Sequence, residues 1–344
     1  MSAGPLRSRL ALFVTVVLLT VAAVTAAGVV TDQGQTAKPT VDQPHFQPDA
    51  TAVDELDQSG EIEFSSTGSK TVLIDVAHGN GVSEADLQPV VSALTAAGHT
   101  VTYHEGAGQF ADSPDAALRS DLQDADAFIV AEPTQRYTAG EADAVTEFAD
   151  AGGRVMFAAG SSGGGVSDAV GGLLGDVSGA EAGQGEFAAV TSPLGIAYDT
   201  GTLYDMDSVG SNYRTIDVTP ASETALTDGV DQVVLDSPTA VVADGETLLA
   251  TSETAEHEES RHSGEFGVAV RSDNAVAVGD TGFMSSETAT IADNEVFIGN
   301  LLEFLVGGEK TPGEPSVPDD ATGGQGAAGG QVGTGQTGGA TITP

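Results

Sequence analysis

Between residues 70 and 160 the chain alternates short, wholly apolar runs with segments whose apolar residues recur every three or four positions. Thr71-Val72-Leu73-Ile74-Asp75-Val76 is the first such run. A strand wetted on one face alternates apolar and polar residues, so a continuous run predicts a strand covered on both faces. A helix follows, with Leu87, Val90, Val91 and Leu94 on one face, Ser83 at the N-cap position and Gly98 closing it. Residues 101–103 give a second strand and 127–131 a third. A helix over 139–149 uses Ala142, Val145 and Phe148 and ends at Gly152-Gly153, after which 154–158 form a fourth strand. This alternation predicts an α/β domain with a mostly parallel sheet and helices on both faces.

The domain spans residues 70–307. Within it, 185–253 is richer in threonine, valine and turn residues and reads as a β-rich insertion of short, mainly antiparallel strands. Residues 266–271 and 275–278 flank Ser272-Asp273-Asn274 as a hairpin, and a C-terminal helix over 294–306 turns Val296, Phe297, Leu301, Phe304 and Leu305 to the core.

Outside the domain the composition changes. Arg7 and Arg9 precede an uncharged apolar run over 10–30, about 30 Å long as a helix and so matched to a bilayer core. Segment 1–30 is therefore expected to be an N-terminal membrane anchor with the rest of the chain outside the cell. Ala22, Ala23, Ala26 and Ala27 also suit a cleavage site, which leaves a signal peptide and secretion as the alternative. Residues 31–69, with Pro39, Pro44 and Pro48, read as an extracytoplasmic stalk, and the Gly-rich 308–344 as a disordered tail.

Charge bounds the function. The chain carries 51 acidic and 11 basic residues, a net charge of −40. A compact protein so charged repels itself at low ionic strength, whereas in molar salt the screening length falls to about 3 Å. The chain thus reads as an acidic protein of a halophile. With no basic stripe to displace counterions from phosphates, nucleic acid is excluded as a partner. No cysteine is present, which removes thiolate chemistry and disulfides.

In open α/β sheets ligands bind beyond the carboxyl ends of the strands. Those ends carry Asp75 and His78-Gly79-Asn80, Glu132-Pro133-Thr134, the loop 160–165, and Gly279-Asp280-Thr281-Gly282. Asp75, His78, Asn80, Glu132 and Asp280 are the candidate binding residues, although each also suits ordinary turn chemistry. Gly160-Ser161-Ser162-Gly163-Gly164 matches a nucleophile elbow, making Ser162 a weak catalytic candidate with Asp205 or Asp236 and His257 or His262. His257 and His262 are five residues apart, about 140° around a helix, so the pair is not a zincin motif. Asp75 and His78 are weak candidates for a metal site, with Asp280 or His104 as further ligands. The residues name no cofactor.

Leu73-Ile74-Asp75-Val76-Ala77-His78-Gly79-Asn80, Ala127-Phe128-Ile129-Val130-Ala131-Glu132-Pro133 and Glu147-Phe148-Ala149-Asp150-Ala151-Gly152-Gly153 occur in that order. Val278-Gly279-Asp280-Thr281-Gly282-Phe283, Asp293-Asn294-Glu295-Val296-Phe297 and Asn300-Leu301-Leu302 complete the series. Together they resemble the prokaryotic family known as domain of unknown function 4350, common in haloarchaea. The resemblance implies a flavodoxin-like sheet similar to class I glutamine amidotransferases, without their chemistry, because the nucleophilic cysteine is missing. It also implies a membrane-tethered accessory role in an envelope complex, with a MoxR-type ATPase system as companion. The leading expectation is a non-catalytic ligand- or partner-binding domain. A hydrolase using Ser162 or a metal near Asp75 and His78, and a structural subunit of an envelope complex, are the alternatives.

Overall fold

The computed structural model describes residues 12–23, 60–80, 82, 85–107, 114–159, 188–207 and 212–317. The chain divides into two compact units, Met1–Val53 and Asp54–Pro344. In the first, residues 12–23 are helical, with Leu12, Phe13, Leu18 and Leu19 exposed. Among the described residues no helix is long and apolar enough to cross a membrane, and the remainder of 1–30 lies outside them.

The second unit opens with strands β1 (Thr71–Asp75), β2 (Thr100–His104), β3 (Ala127–Ala131) and β4 (Arg154–Ala158). Helices α1 (Gln88–Ala96), α2 (Pro114–Asp124) and α3 (Ala139–Asp150) connect them. Short strands follow as β5 (Ile196–Tyr198), β6 (Leu203–Tyr204), β7 (Thr215–Pro220), β8 (Val233–Asp236), β9 (Val241–Ala243), β10 (Glu246–Ala250) and β11 (Glu256–His257). The hairpin β12 (Gly267–Ser272) and β13 (Ala275–Val278) and the helix α4 (Asn294–Val306) complete the unit.

Nine strands form one sheet in the order β2-β1-β3-β4-β13-β12-β10-β7-β8. The first five run parallel, and from β13 onward each neighbour is antiparallel. The expected insertion thus joins the main sheet through β7, β8 and β10, while β5–β9 and β6–β11 make two small ribbons. Alternate residues of each central strand face opposite cores. Val72, Ile74, Ile129 and Met156 pack with Val90 and Leu94 of α1 and Phe297 and Leu301 of α4. Leu73, Phe128, Val130 and Phe157 pack with Leu118 and Leu122 of α2 and Val145 and Phe148 of α3. Burial on both faces explains why these strands read as continuous apolar runs.

Two elements differ from the sequence expectation. Helix α1 starts at Gln88, not near Ser83, which lies outside the described residues. The reason is Pro89, whose missing N–H is tolerated only in a first turn. Helix α2 carries few apolar residues and no amphipathic stripe beyond Leu118 and Leu122, so periodicity did not mark it.

Ordered structure also reaches into both flanks assigned as stalk and tail. Residues 60–65 run alongside α4, with the Ser65 N–H donating to Glu303 at 3.1 Å. There Gly299 is obligatory, since a Cβ would stand 2.3 Å from the Glu63 carbonyl oxygen. At the other end Lys310 Nζ donates to the Leu122, Gln123 and Glu314 carbonyls at 2.9, 2.7 and 2.8 Å. A cation on the orphan carbonyls of a helix C-terminus satisfies them and complements the helix dipole. Lys70 makes a second clamp, reaching Asp126 at 3.3 Å and the Gly308 carbonyl at 3.0 Å. The last residues described, up to 317, pack against α2.

Candidate functional site

The parallel strands follow the order 2-1-3-4-5 of flavodoxin-like sheets, whose crossovers leave opposite faces at the β1/β3 boundary. In such sheets ligands bind at that point, beyond the carboxyl ends of the strands. Four of the five predicted residues lie at that point, with Asp75 ending β1, His78 and Asn80 in the loop after it, and Glu132 following β3.

The Asp75 carboxylate is fully buried and accepts from the Ala77 N–H at 3.1 Å, from His78 Nδ1 at 2.9 Å and from the Tyr137 hydroxyl at 2.6 Å. The other ring nitrogen of His78 lies 3.6 Å from Glu141 Oε1, and the ring stacks on Tyr137 with centroids 3.7 Å apart. Burial works against the charged imidazolium, but the two carboxylates outweigh it and raise the His78 pKa to about 9. Glu141 responds in the opposite sense. Burial opposes its ionisation, while His78 and the Thr138 amide bring its pKa down to about 2. Tyr137, buried beside Asp75, is pushed well above the ordinary phenol value. An imidazolium held between two carboxylates has no lone pair to abstract a proton or bind a metal. Among the described residues no group of three His, Asp or Glu side chains is arranged to hold a metal ion.

Glu141 has a second task. With Thr138 it forms a capping box, the Glu141 N–H donating to Thr138 Oγ1 at 3.2 Å and the Thr138 N–H to Glu141 Oε2 at 2.8 Å. The first turn of α3 thus has the Thr138 and Glu141 amides satisfied by the protein's own side chains. Tyr137 and Glu141 were absent from the sequence-derived set, although Thr138-x-x-Glu141 is a readable capping signal.

Around this ion cluster backbone bonds tie the loop after β1 to the loop after β3. His78 O accepts the N–H groups of Thr134 and Gln135, each at 2.9 Å, and Gly79 takes φ +63°, which its lack of a Cβ permits. Asn80 Nδ2 donates to the Asp75 carbonyl, while its Oδ1 is buried and finds no hydrogen-bond partner among the described residues. His104, paired with Asp75 in register, directs Nδ1 to Asp121 at 2.7 Å and leaves Nε2 buried and equally unpartnered. A buried polar atom without a partner is costly, and both residues adjoin Asp75, His104 as its register partner and Asn80 through its carbonyl.

Glu132 holds a left-handed φ of +48°, an uncommon conformation for a residue with a Cβ. Its Oε2 accepts from Thr281 Oγ1 at 3.4 Å. Burial raises its pKa, the Thr281 hydroxyl opposes that rise, and the charge of Asp86 adds to it. Asp280 stands apart from this cluster. Its carboxylate accepts the Asp236 N–H at 3.1 Å and the Gly282 N–H at 2.7 Å, fixing the turn after β13. Burial, opposed by those amides, pushes its pKa up to about 6. Asp280 therefore reaches the site only through its neighbour Thr281.

Ser162 lies outside the described residues. Two of its proposed partners, Asp205 and His257, are engaged elsewhere. Asp205 accepts from Ser252 at 2.7 Å and Thr254 at 2.9 Å, and His257 Nδ1 takes the Ser260 N–H at 3.2 Å.

Fold and site together define a doubly wound α/β domain with a cluster of buried polar side chains at its topological switch point. No family model matches the chain, and no curated protein matches it. A solved structure titled mmIFT52 N-terminal domain is similar at 10% identity, with a TM-score of 0.49, over 68% of this chain and 97% of that one.

Proposed function

We propose that the protein is a non-catalytic binding module that takes a polar ligand or partner group at the β1/β3 switch point. The observation that carries this reading is the pair of buried, unpartnered atoms, Asn80 Oδ1 and His104 Nε2, in two residues that adjoin Asp75. One feature bounds the ligand class. Glu132 stands near the charge of Asp86 at this point, and two carboxylates disfavour a phosphate and favour a neutral or cationic polar group. Catalysis through His78 is disfavoured because its ring serves the ion cluster on both sides.

The wider setting rests on the sequence. The apolar run at 10–30 after Arg7 and Arg9 supports a membrane tether with the domain outside the cell, and the acidic composition a saline exterior. The resemblance to domain of unknown function 4350 supports an accessory role in an envelope complex, with a MoxR-type ATPase system as the companion to look for.

The test is a thermal-shift panel on the full chain in multimolar salt, holding amino acids, polyamines, sugars, nucleosides and phosphates. A ligand at a hundred times its dissociation constant adds about 2.7 kcal/mol of stability. We expect a shift from a neutral or cationic compound, lost in Asn80→Ala. A shift from phosphates alone, or one indifferent to Asn80→Ala, would refute the site. Turnover by any member of the panel would restore the hydrolase reading.

A further inference from the structure

Away from the switch point, the ribbon of β6 and β11 carries an open groove of about 410 Å³. Among the described residues of the second unit, Tyr103, Met206, Tyr213 and Val242 are the large apolar side chains left exposed. Two of these four share this groove, Met206 at 68% and Tyr213 at 49% exposure. Tyr204 meets Tyr213 edge-on with centroids 6.2 Å apart. Arg214 and Arg261 stand over the two rings, each 5.6 Å from a centroid. Tyrosine, arginine and methionine are the residue types enriched in protein interfaces, and tyrosine and arginine carry most hot spots.

Charge decides which protein fits. With 51 acidic residues, two copies of this chain meeting on most faces would set carboxylate against carboxylate. The groove differs, because Arg214 and Arg261 face Glu256 and Glu258, with Arg214 only 3.7 Å from Glu258. Equal numbers of the two signs make the patch self-complementary. A two-fold contact places each residue of one copy against a different residue of the other, so arginines can meet glutamates across the axis. We infer that this groove is the centre of an isologous contact with a second copy of the chain. Tyr204, Met206 and Tyr213 supply the apolar centre, and the two arginines and two glutamates set the register. Molar salt suits such a dimer, since it screens the long-range repulsion of two acidic bodies and leaves contact-range pairs in place.

Light scattering on the detergent-solubilised full chain in molar salt tests this. The protein component should show about twice the chain mass. Arg214→Glu with Arg261→Glu should return it to about one chain mass, and so should Glu256→Arg with Glu258→Arg. An equimolar mixture of those two variants should recover the doubled mass, because opposite patches then face each other. Met206→Asp, at an exposed position, should dissociate the dimer without lowering the melting temperature, which guards against a misfolded charge variant. A wild-type chain of single mass would overturn the proposal. So would a doubled mass that survives both Met206→Asp and the arginine replacements, or a mixture that stays at single mass.

Discussion

At the scale of single residues the main device is the ion cluster of Asp75, His78, Tyr137 and Glu141, and its pH dependence has a definite sign. His78 has a folded pKa of about 9 against an ordinary 6.5. Its contribution is therefore complete below pH 6.5 and is lost as pH rises through 9. Glu141, held near 2, contributes above pH 4.5 and loses its effect as pH falls through 2. Denaturant unfolding between pH 6 and 10 at fixed salt should show a fall of about 1–2 kcal/mol, after discounting for solvent screening. His78→Gln should remove that fall, and a slope equally steep in the variant would show that another group carries it. His78→Ala is a harsher change. It leaves two carboxylates unpaired in a buried site and should cost about 3 kcal/mol or more. Asp280 belongs at this scale too. Because its carboxylate holds the turn after β13, Asp280→Ala should lower the melting temperature.

At the scale of elements, the two flanks that clamp the domain make the sharpest predictions. Gly299→Ala drives a methyl against the Glu63 carbonyl and should cost about 1–3 kcal/mol. Limited proteolysis should then cut within residues 60–69 faster than in the wild type, and equal cutting rates would mean that the strip does not depend on α4. Truncation after Gly307 removes Lys310 from the α2 carbonyls and should lower the melting temperature by several degrees. The central strands were legible because burial on both faces leaves an unmistakable apolar run, as in Ala127-Phe128-Ile129-Val130-Ala131. Helix α2 was not, because it offers the core only Leu118 and Leu122 along with the buried Arg119. The roles of Lys70 and Lys310 were hidden for a different reason. Their partners are backbone carbonyls and an aspartate far away in sequence, which no local pattern encodes. The site was legible in part. Strand ends pointed to Asp75, His78, Asn80 and Glu132, but only packing shows that His78 is locked between carboxylates and that Asn80 and His104 carry the unpartnered atoms.

At the scale of the whole molecule, a net charge of −40 on a folded chain makes stability a function of salt. The melting temperature should climb steadily from dilute buffer to multimolar potassium chloride as repulsion is screened. A flat profile would contradict the halophilic reading. The same charge frames both proposals, since it leaves the switch point to neutral or cationic polar groups and makes the charge-balanced groove of Tyr213 and Arg214 the face where another acidic chain can dock. The measurement that tests the central claim most directly is ligand-induced thermal stabilisation compared across three chains: wild type, Asn80→Ala and Tyr213→Ala. The account predicts a stabilising compound whose effect is lost in Asn80→Ala, at the switch point, and kept in Tyr213→Ala, at the groove. A shift kept in Asn80→Ala and lost in Tyr213→Ala would contradict it and move the binding site to the β6–β11 ribbon.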